Sequence, residues 1–463
     1  MTEQATGQLN KTGTKQLMAI KLSDQFTYRK LLRYVFPTVV MMVFSSVYGI
    51  VDGLFVSNFA GKEPFAAINL VFPALQIIGT IGFMLGTGGG ALVGMRLGEG
   101  QKKEADELFS MLVIASFLLG AAASVIAFIF APQIARLLGA EGSLYTYSVR
   151  YIRITLVSMP MFILEYAFQT FFITAEKPKL GLGVTVLAGC MNILLDFLLV
   201  GVCGLGLDGA AWATVASEFT GGLVPVAYFI RKNSSLLRLV KTEIRPDLLI
   251  RSCINGAADM LSGISSSAIT ILYNHRLLRL AGTNGVAAYS AILYIGWIFF
   301  AILHGYSVGS APIVSYHYGE GDRRGVTDIL KKSLVLNALA GILMTLGAEA
   351  IAVPFARLFV GYDAGLFAMT LSGVRIHALG FLFLGLSIYI TTFLTAIGYG
   401  KVSSVISAAR SFVFPVAFVL LLPCFMGLAG VWASGPATET LGVAVAAALL
   451  MANRELFRPP AEN

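Results

Sequence analysis

Charge is what this sequence has least of. Only 13% of its 463 residues are Asp, Glu, Lys or Arg, while 57% are hydrophobic and the mean hydropathy is +0.79. A water-soluble domain of this length carries about twice that charged fraction, so a soluble globular enzyme or binding module is excluded. Cysteine is scarce too: Cys190, Cys203, Cys253 and Cys424 lie in or beside apolar runs with no regular spacing. That rules out a disulfide framework, and the four are read as small core residues. Strict alternation of apolar and polar residues is absent, which excludes a membrane β-barrel. The first thirty residues are polar, so no signal peptide is expected, and the first span directs insertion. The net charge of +8 suggests nucleic acid only until its distribution is considered: the basic residues are parcelled out among loops, and no nucleic-acid partner is expected.

What the chain does have is apolar runs of about 20 residues, the length a helix needs to cross a bilayer. Twelve start near Leu31, Phe65, Leu108, Ile152, Leu180, Leu207, Leu248, Val286, Ile329, Ser372, Val402 and Met426. The expected fold is therefore an all-α polytopic membrane protein. With both termini and every even-numbered loop on one side, that side holds 24 of the 33 Lys and Arg, the other holds 8, and Arg410 falls within a span. The positive-inside rule then puts both termini in the cytoplasm of a bacterial plasma (inner) membrane protein.

The chain also repeats itself. GEG at Gly98 returns as GEG at Gly319, ARLL at Ala135 as ARLF at Ala356, and GLDGAAWATVASE from Gly206 as GLAGVWASGPATE from Gly427, always 221 residues on. Two parallel six-helix halves are expected to flank a central cavity, as in many secondary transporters. The boundaries read as a cytoplasmic tail at 1–30, an N-lobe at 31–230, a basic linker at 231–251, a C-lobe at 252–453 and a second tail at 454–463. Gly82, Gly86, Gly90 and Gly94 recur every fourth residue and map onto Ser307, Ala311 and Ser315 for the last three. No P-loop Lys-Ser/Thr follows, so the stripe reads as close helix packing. Pro37, Pro73, Pro160, Pro312 and Pro415 interrupt spans and mark bends.

An ionised Asp at mid-bilayer costs about 3 kcal/mol on insertion scales, so each such residue needs a partner or a purpose. Asp52, Glu165, Asp196, Glu218, Asp259, Glu349 and Glu439 lie in or near spans, against the single mid-span base Arg410. Asn192 and Asp196, four apart in MNILLDFLLV, share a helix face. Together with Asp52 and the Thr214 hydroxyl they offer oxygens suited to a small hard cation, Na⁺ included, and two nearby carboxylates also tend to share a proton. The 221-residue offset sends Asp52, Asn192 and Asp196 to Tyr273, Val413 and Ala417, so this constellation belongs to the first half alone. Glu218 and Glu439 do correspond, which points to a structural role for both. Arg410 is expected to pair with Glu439 or Asp259.

Twelve spans in two repeats, FPTVVMMVFSSVYGIVDGLFVSNFAG, GTGGGALVGMRLGEG, TAEKPKLGL and the N-x-x-x-D of MNILLDF together resemble the multidrug and toxic compound extrusion (MATE) transporters, over about Lys30 to Asn453. The likeness is to the bacterial multidrug-pump branch. It implies a non-enzymatic antiporter, coupled to H⁺ or Na⁺ and needing no other cofactor, that exports cationic amphipathic drugs by alternating access, as a monomer. The family's N-lobe cation site matches Asp52, Asn192, Asp196 and Thr214, and its helix-bend proline matches Pro37. Asp259 stands where a common form of the family has Glu, so it, Glu165, Arg410 and Glu439 are secondary polar candidates. Tyr48, Phe55, Phe168 and Phe171 are candidates to line a drug path through cation–π contact. A lipid or lipid-linked saccharide flippase shares this architecture, but its pyrophosphate calls for basic residues that the spans lack. An intramembrane aspartyl protease lacks its Tyr-Asp and Gly-x-Gly-Asp motifs: Asp52 follows Val51, and GLGLD misses by one residue. A channel fits an acidic site confined to one lobe less well than alternating access does.

Overall fold

The computed structural model describes residues 20–457. Within them the chain folds into helices joined by short turns. The first is α1 (Tyr28–Phe55), continued by a π-helical turn at Val56–Ala60, followed by α2 (Lys62–Gly98) and α3 (Lys102–Leu137). Then come α4 (Gly142–Thr155) and α5 (Met159–Thr174), α6 (Pro178–Leu195) with a second π turn at Asp196–Val202, and α7 (Gly206–Ile230). The second half contains α8 (Pro246–Glu320), α9 (Arg323–Val360), α10 (Ala364–Ala378), α11 (Phe381–Ala396), α12 (Gly400–Ala408) with a π turn at Ala409–Val413, α13 (Phe414–Met426) and α14 (Leu428–Ala452).

Twelve crossings follow from this list. Nine helices among the described residues are long and apolar enough to span a membrane, and two bent pairs, α4–α5 at 61° and α10–α11 at 45°, add two more. The twelfth comes from α8, whose 75 residues are broken at Gly282. There φ is 61° and ψ is −151°, a conformation open to glycine and closed to most other residues. A tight reversal therefore divides α8 into two antiparallel spans.

Two span starts move outward from their expected positions. The fourth crossing begins at Gly142 rather than Ile152, and the tenth at Ala364 rather than Ser372. In both, the hydropathy signal belongs to the second helix of a bent pair, because the first carries Arg150 and Arg153, or Arg375. The segment between α7 and α8 is non-helical over residues 231–245, and residues 246–251 already belong to α8. The cysteines are a correction: Cys190, Cys203 and Cys424 are exposed on the bundle surface and Cys253 is half-buried, so they do not fill the core. A thiol costs little against lipid, and hydropathy alone does not separate a lipid-facing position from an interior one.

Glycine sets the helix spacing. A Cβ built on Gly82 would come 2.3 Å from the Ile163 carbonyl, and one on Gly86 3.0 Å from Ala167 Cα, so the first part of the stripe lies against α5. Gly94 instead meets Ser315, and Gly98 meets the Tyr316 carbonyl, both in the second span of α8. Gly88 crosses from the N-lobe to the C-lobe, where a Cβ would lie 2.3 Å from the Gly256 nitrogen, and Asn255 Nδ2 donates to the Gly88 carbonyl at 3.0 Å. On the other side of the seam, Gly305 and Gly309 admit Val39, Val35 and Thr38 of α1. These contacts all lie in the half of the bundle that carries both termini. Toward the opposite end, Gly49 and Gly296 have no atom within 4 Å of a built Cβ.

A core cluster joins the lobes at the closed end. It holds Leu22, Phe26, Tyr34 and Ile173 with Leu330, Phe393 and Ile397. The segment before α1 is pinned there: the Leu22 N–H donates to Glu176 Oε1 at 2.6 Å, and Lys332 Nζ donates to the Phe26 carbonyl at 2.7 Å. Replacing Gly88 by Val forces backbone apart at the α2–α8 crossing, an overpacking cost of about 1–3 kcal/mol. The expected result is a lower unfolding midpoint in detergent, while Gly183→Val, at a position with nothing within 4 Å, leaves it unchanged.

Candidate functional site

The N-lobe gathers acid without base. Asp52 comes from the last turn of α1, Asn192 from the last turn of α6, Asp196 from the first residue of the π turn that follows, and Thr214 from α7. The two π turns after α1 and α6 touch each other. Such turns shift the hydrogen-bond register by one residue and re-aim the side chains beside them.

The Asp52 and Asp196 carboxyls face one another closely enough to hydrogen-bond once one is protonated. Asp196 has no exposed surface, and neither of its carboxyl oxygens has a partner. Asn192 is 2% exposed with its Oδ1 unpartnered, and Asp52 Oδ1 is likewise buried and unpartnered. The Thr214 hydroxyl donates to the Ala210 carbonyl at 3.1 Å, which leaves its lone pairs free to accept or to ligate. Two carboxylates, an amide oxygen and a hydroxyl have thus come together with acceptors to spare, a donor set that fits a proton or a hard monovalent ion. Among the described residues no three His, Cys, Asp or Glu side chains converge as a transition-metal site would require.

Tyr151, on α4, is a member that sequence reasoning missed. Its phenol faces the Thr214 hydroxyl and lies near Asp52, Asp196 and Glu218. It is 4% exposed, between Arg150 and Arg153, and residue order carries no signal of that burial. Tyr48 also looks into this region, toward Asp52, Glu165, Glu218 and Tyr166. Of the other aromatics proposed for a drug path, Phe55 stacks on Phe59 at 5.9 Å. Phe168 and Phe171 are corrections: they are 1% and 0% exposed and pack with Phe109 and Phe229 inside the N-lobe core, where they fill volume.

The C-lobe handles its charge differently. Arg410 Nη1 donates to Glu439 Oε1 at 3.1 Å, and the Ser387 hydroxyl donates to Glu439 Oε2 at 2.7 Å. Of the two partners considered for Arg410, the structure selects Glu439. Glu349 lies 3.6 Å from Arg375, and Arg276 in α8 donates to the Leu420 carbonyl at 2.7 Å. Asp259 stands at the seam: the Thr87 hydroxyl of the N-lobe donates to its Oδ2 at 2.6 Å, and His304 Nε2 is 3.9 Å from its Oδ1. Neither Thr87 nor His304 was singled out from the sequence, although His304 is one of only four histidines and sits one turn after Phe300. Its ring stacks on Phe300 at 5.3 Å and meets Phe83 of the N-lobe edge-on at 6.2 Å.

Two six-span lobes related as parallel repeats around a one-sided acidic site make this a two-lobed secondary transporter. Residues 37–198 and 260–421 each match the profile of the MatE family, one match per lobe, and the chain belongs to that family. Among curated relatives, the multidrug export protein MepA of Staphylococcus haemolyticus (strain JCSC1435) is 25% identical over 412 residues, covering 87% of this chain and 89% of that protein. Among solved structures, the outward-facing conformation of a multidrug resistance MATE family transporter of the MOP superfamily superposes with a TM-score of 0.88 at 21% identity, over 95% of this chain and 98% of the other. A MATE crystal structure in the bent conformation gives 0.84 at 20% identity, over 93% and 97%.

Removing one member of a buried ion pair strands the other, at a cost of about 3–5 kcal/mol. Arg410→Met is therefore expected to lower the unfolding midpoint sharply, and the double variant Arg410→Met/Glu439→Gln to recover most of the loss. A thermal-melt cycle over the four proteins measures this.

Proposed function

We propose that this protein is a cation-coupled antiporter that exports cationic amphipathic drugs across a bacterial plasma membrane, with both termini cytoplasmic. Membership of the MatE family supports transport, and the name of the staphylococcal relative supports drugs as cargo. The observation that carries the coupling is the facing Asp52–Asp196 pair, buried without a base and found in one lobe only. A proton or Na⁺ held by Asp52, Asn192, Asp196 and Thr214 neutralises what hydrocarbon penalises.

With the termini inside, the lobes meet at the cytoplasmic end and the cleft opens outward. In that state an external cation occupies the acidic site and displaces cationic drug, because the two compete for the same negative charge. The lobes then rock about the glycine-lined seam, the cation leaves to the cytoplasm, and the freed carboxylates attract the next drug molecule. Cation and drug must oppose one another in binding, since a ligand shifts a conformational equilibrium only by its differential affinity for the two states. Pro37, which deprives α1 of one backbone hydrogen bond where α1 packs on α8, is the proposed bending point. Tyr48 is the aromatic best placed to touch a drug cation.

A lipid-pyrophosphate flippase would need uncompensated bases inside the bundle. The mid-span base, Arg410, is already paired with Glu439. In proteoliposomes, ethidium uptake driven by an imposed pH or Na⁺ gradient is expected to vanish in Asp196→Asn and to fall at least tenfold in Asp52→Asn. Full uptake by Asp196→Asn, or wild-type uptake indifferent to both gradients, would remove this reading.

A further inference from the structure

Glu218 and Glu439 occupy the same place in the two repeats, but their surroundings differ. Glu439 has Arg410 and Ser387. The 221-residue offset maps Arg410 onto Gly189, whose neighbours are Phe44 and Tyr48, so Glu218 inherits no base. What it has instead is a second carboxyl: Glu165, reaching across from α5. Glu165 is 7% exposed, and no hydrogen bond or ion pair reaches its carboxyl among the described residues. A Cβ on Gly221 of α7 would sit 2.5 Å from Glu165 Oε2, so the carboxyl lies in a notch that only glycine leaves open, one turn from Glu218. The Ser158 hydroxyl lies within hydrogen-bond reach of the Glu218 carboxyl and also of the Thr155 carbonyl, at 3.0 Å, but it brings no charge.

The remaining groups facing this pair supply no positive charge. From α1 comes Tyr48; from α5 itself Tyr166, whose phenol donates to Gln76 of α2 at 3.2 Å; and from α4 Tyr151. Two carboxyls packed together in a low-dielectric interior without a base cannot both stay ionised and empty. The pair is also distinct from the first site. Thr214 and Glu218 are four residues apart on α7, about 6 Å along its axis, and Tyr48 and Tyr151 each lie near acids of both pairs.

We infer that Glu165 and Glu218 form a second monovalent-cation site, for H⁺ or Na⁺, stacked on the Asp52–Asp196 site in the same lobe. The inference rests on the antiporter reading and adds its stoichiometry: two cations move for each drug cation, and the exchange is electrogenic. Tyr48 and Tyr151 link the two sites, so filling one relieves the charge felt by the other.

The test uses the full-length protein in proteoliposomes with the membrane potential clamped at zero. With a tenfold cation gradient, two coupled cations sustain about a 100-fold ethidium gradient and one sustains about a tenfold gradient. Wild type is expected to reach the higher limit, and Glu165→Gln and Glu218→Gln the lower one. Imposing pH and Na⁺ gradients separately identifies which ion fills the site. A wild-type limit near tenfold overturns the inference whatever the variants do, and so does an unaltered 100-fold limit in both Gln variants. A Gln variant that keeps its unfolding midpoint but loses all driven uptake also overturns it, because one shared cation would then serve all four carboxyls. None of these results touches the antiporter reading, which falls if wild-type uptake ignores both gradients or if Asp196→Asn keeps full uptake.

Discussion

A carboxylate buried in hydrocarbon without a counter-charge is worth several kcal/mol of penalty, and the rest of this structure is organised around how that penalty is met. The C-lobe meets it with an ion pair within the chain, by placing Arg410 against Glu439. The N-lobe does not meet it within the chain: Asp52 faces Asp196 and Glu165 lies near Glu218, among tyrosines, an amide and hydroxyls, with no Lys or Arg beside them among the described residues. On the proposed reading, what neutralises them comes from solution and can leave again. A transporter needs that property, and a structural ion pair does not supply it.

The same logic accounts for where the helices are irregular. π turns begin at Asp196, follow Asp52 within one turn and enclose Arg410, so each ladder defect lies beside a charge in the membrane. Helix packing is regular elsewhere because glycine lets backbones touch: Gly82 and Gly86 seat α2 on α5, and Gly88 meets Gly256 across the lobes. Backbone-to-backbone contact of this kind is flat and carries few interlocking side chains. It can close in one state and open in another without breaking a core. The Thr87–Asp259 hydrogen bond and the Asn255 amide, which donates to the carbonyls of both Gly88 and Thr395, hold the seam in the closed-end arrangement seen here.

Much of this was legible from residue order. Long apolar runs and the 221-residue repeat were enough for the all-α class, twelve crossings and two lobes, because hydrocarbon leaves the backbone few other options. Asp52, Asn192, Asp196 and Thr214 come together as their helical spacing and placement suggested. Side-chain direction across a bundle was not legible. Phe168 and Phe171 share a periodicity with cavity-lining residues yet face the core, and Cys190 shares hydropathy with buried residues yet faces outward. Tyr151 escaped notice because α4 is too polar to register as part of a span. Glu218 and Glu439 share a place in the repeat, which suggested a shared structural role; the same offset puts Gly189 where Arg410 stands, and only the packing sets Glu165 beside Glu218.

That difference gives the two repeats different mechanical roles. On one face α1 packs against the C-lobe, with Val35, Thr38 and Val39 lying over Gly305 and Gly309, and Pro37 among them has no N–H to give to the turn before. Its far end carries Tyr48 and Asp52 into the N-lobe's acidic cluster. On the proposed reading, a cation arriving there acts on the end of a lever whose softest point, Pro37, lies about 20 Å away, at the seam between lobes. The C-lobe, with its acid already paired, has no reason to respond to the same cation and can act as the fixed body. On the proposed antiporter reading, one lobe titrates or binds, the other holds, and α1 joins them, so that the asymmetry of charge between two copies of one fold converts ion occupancy into movement.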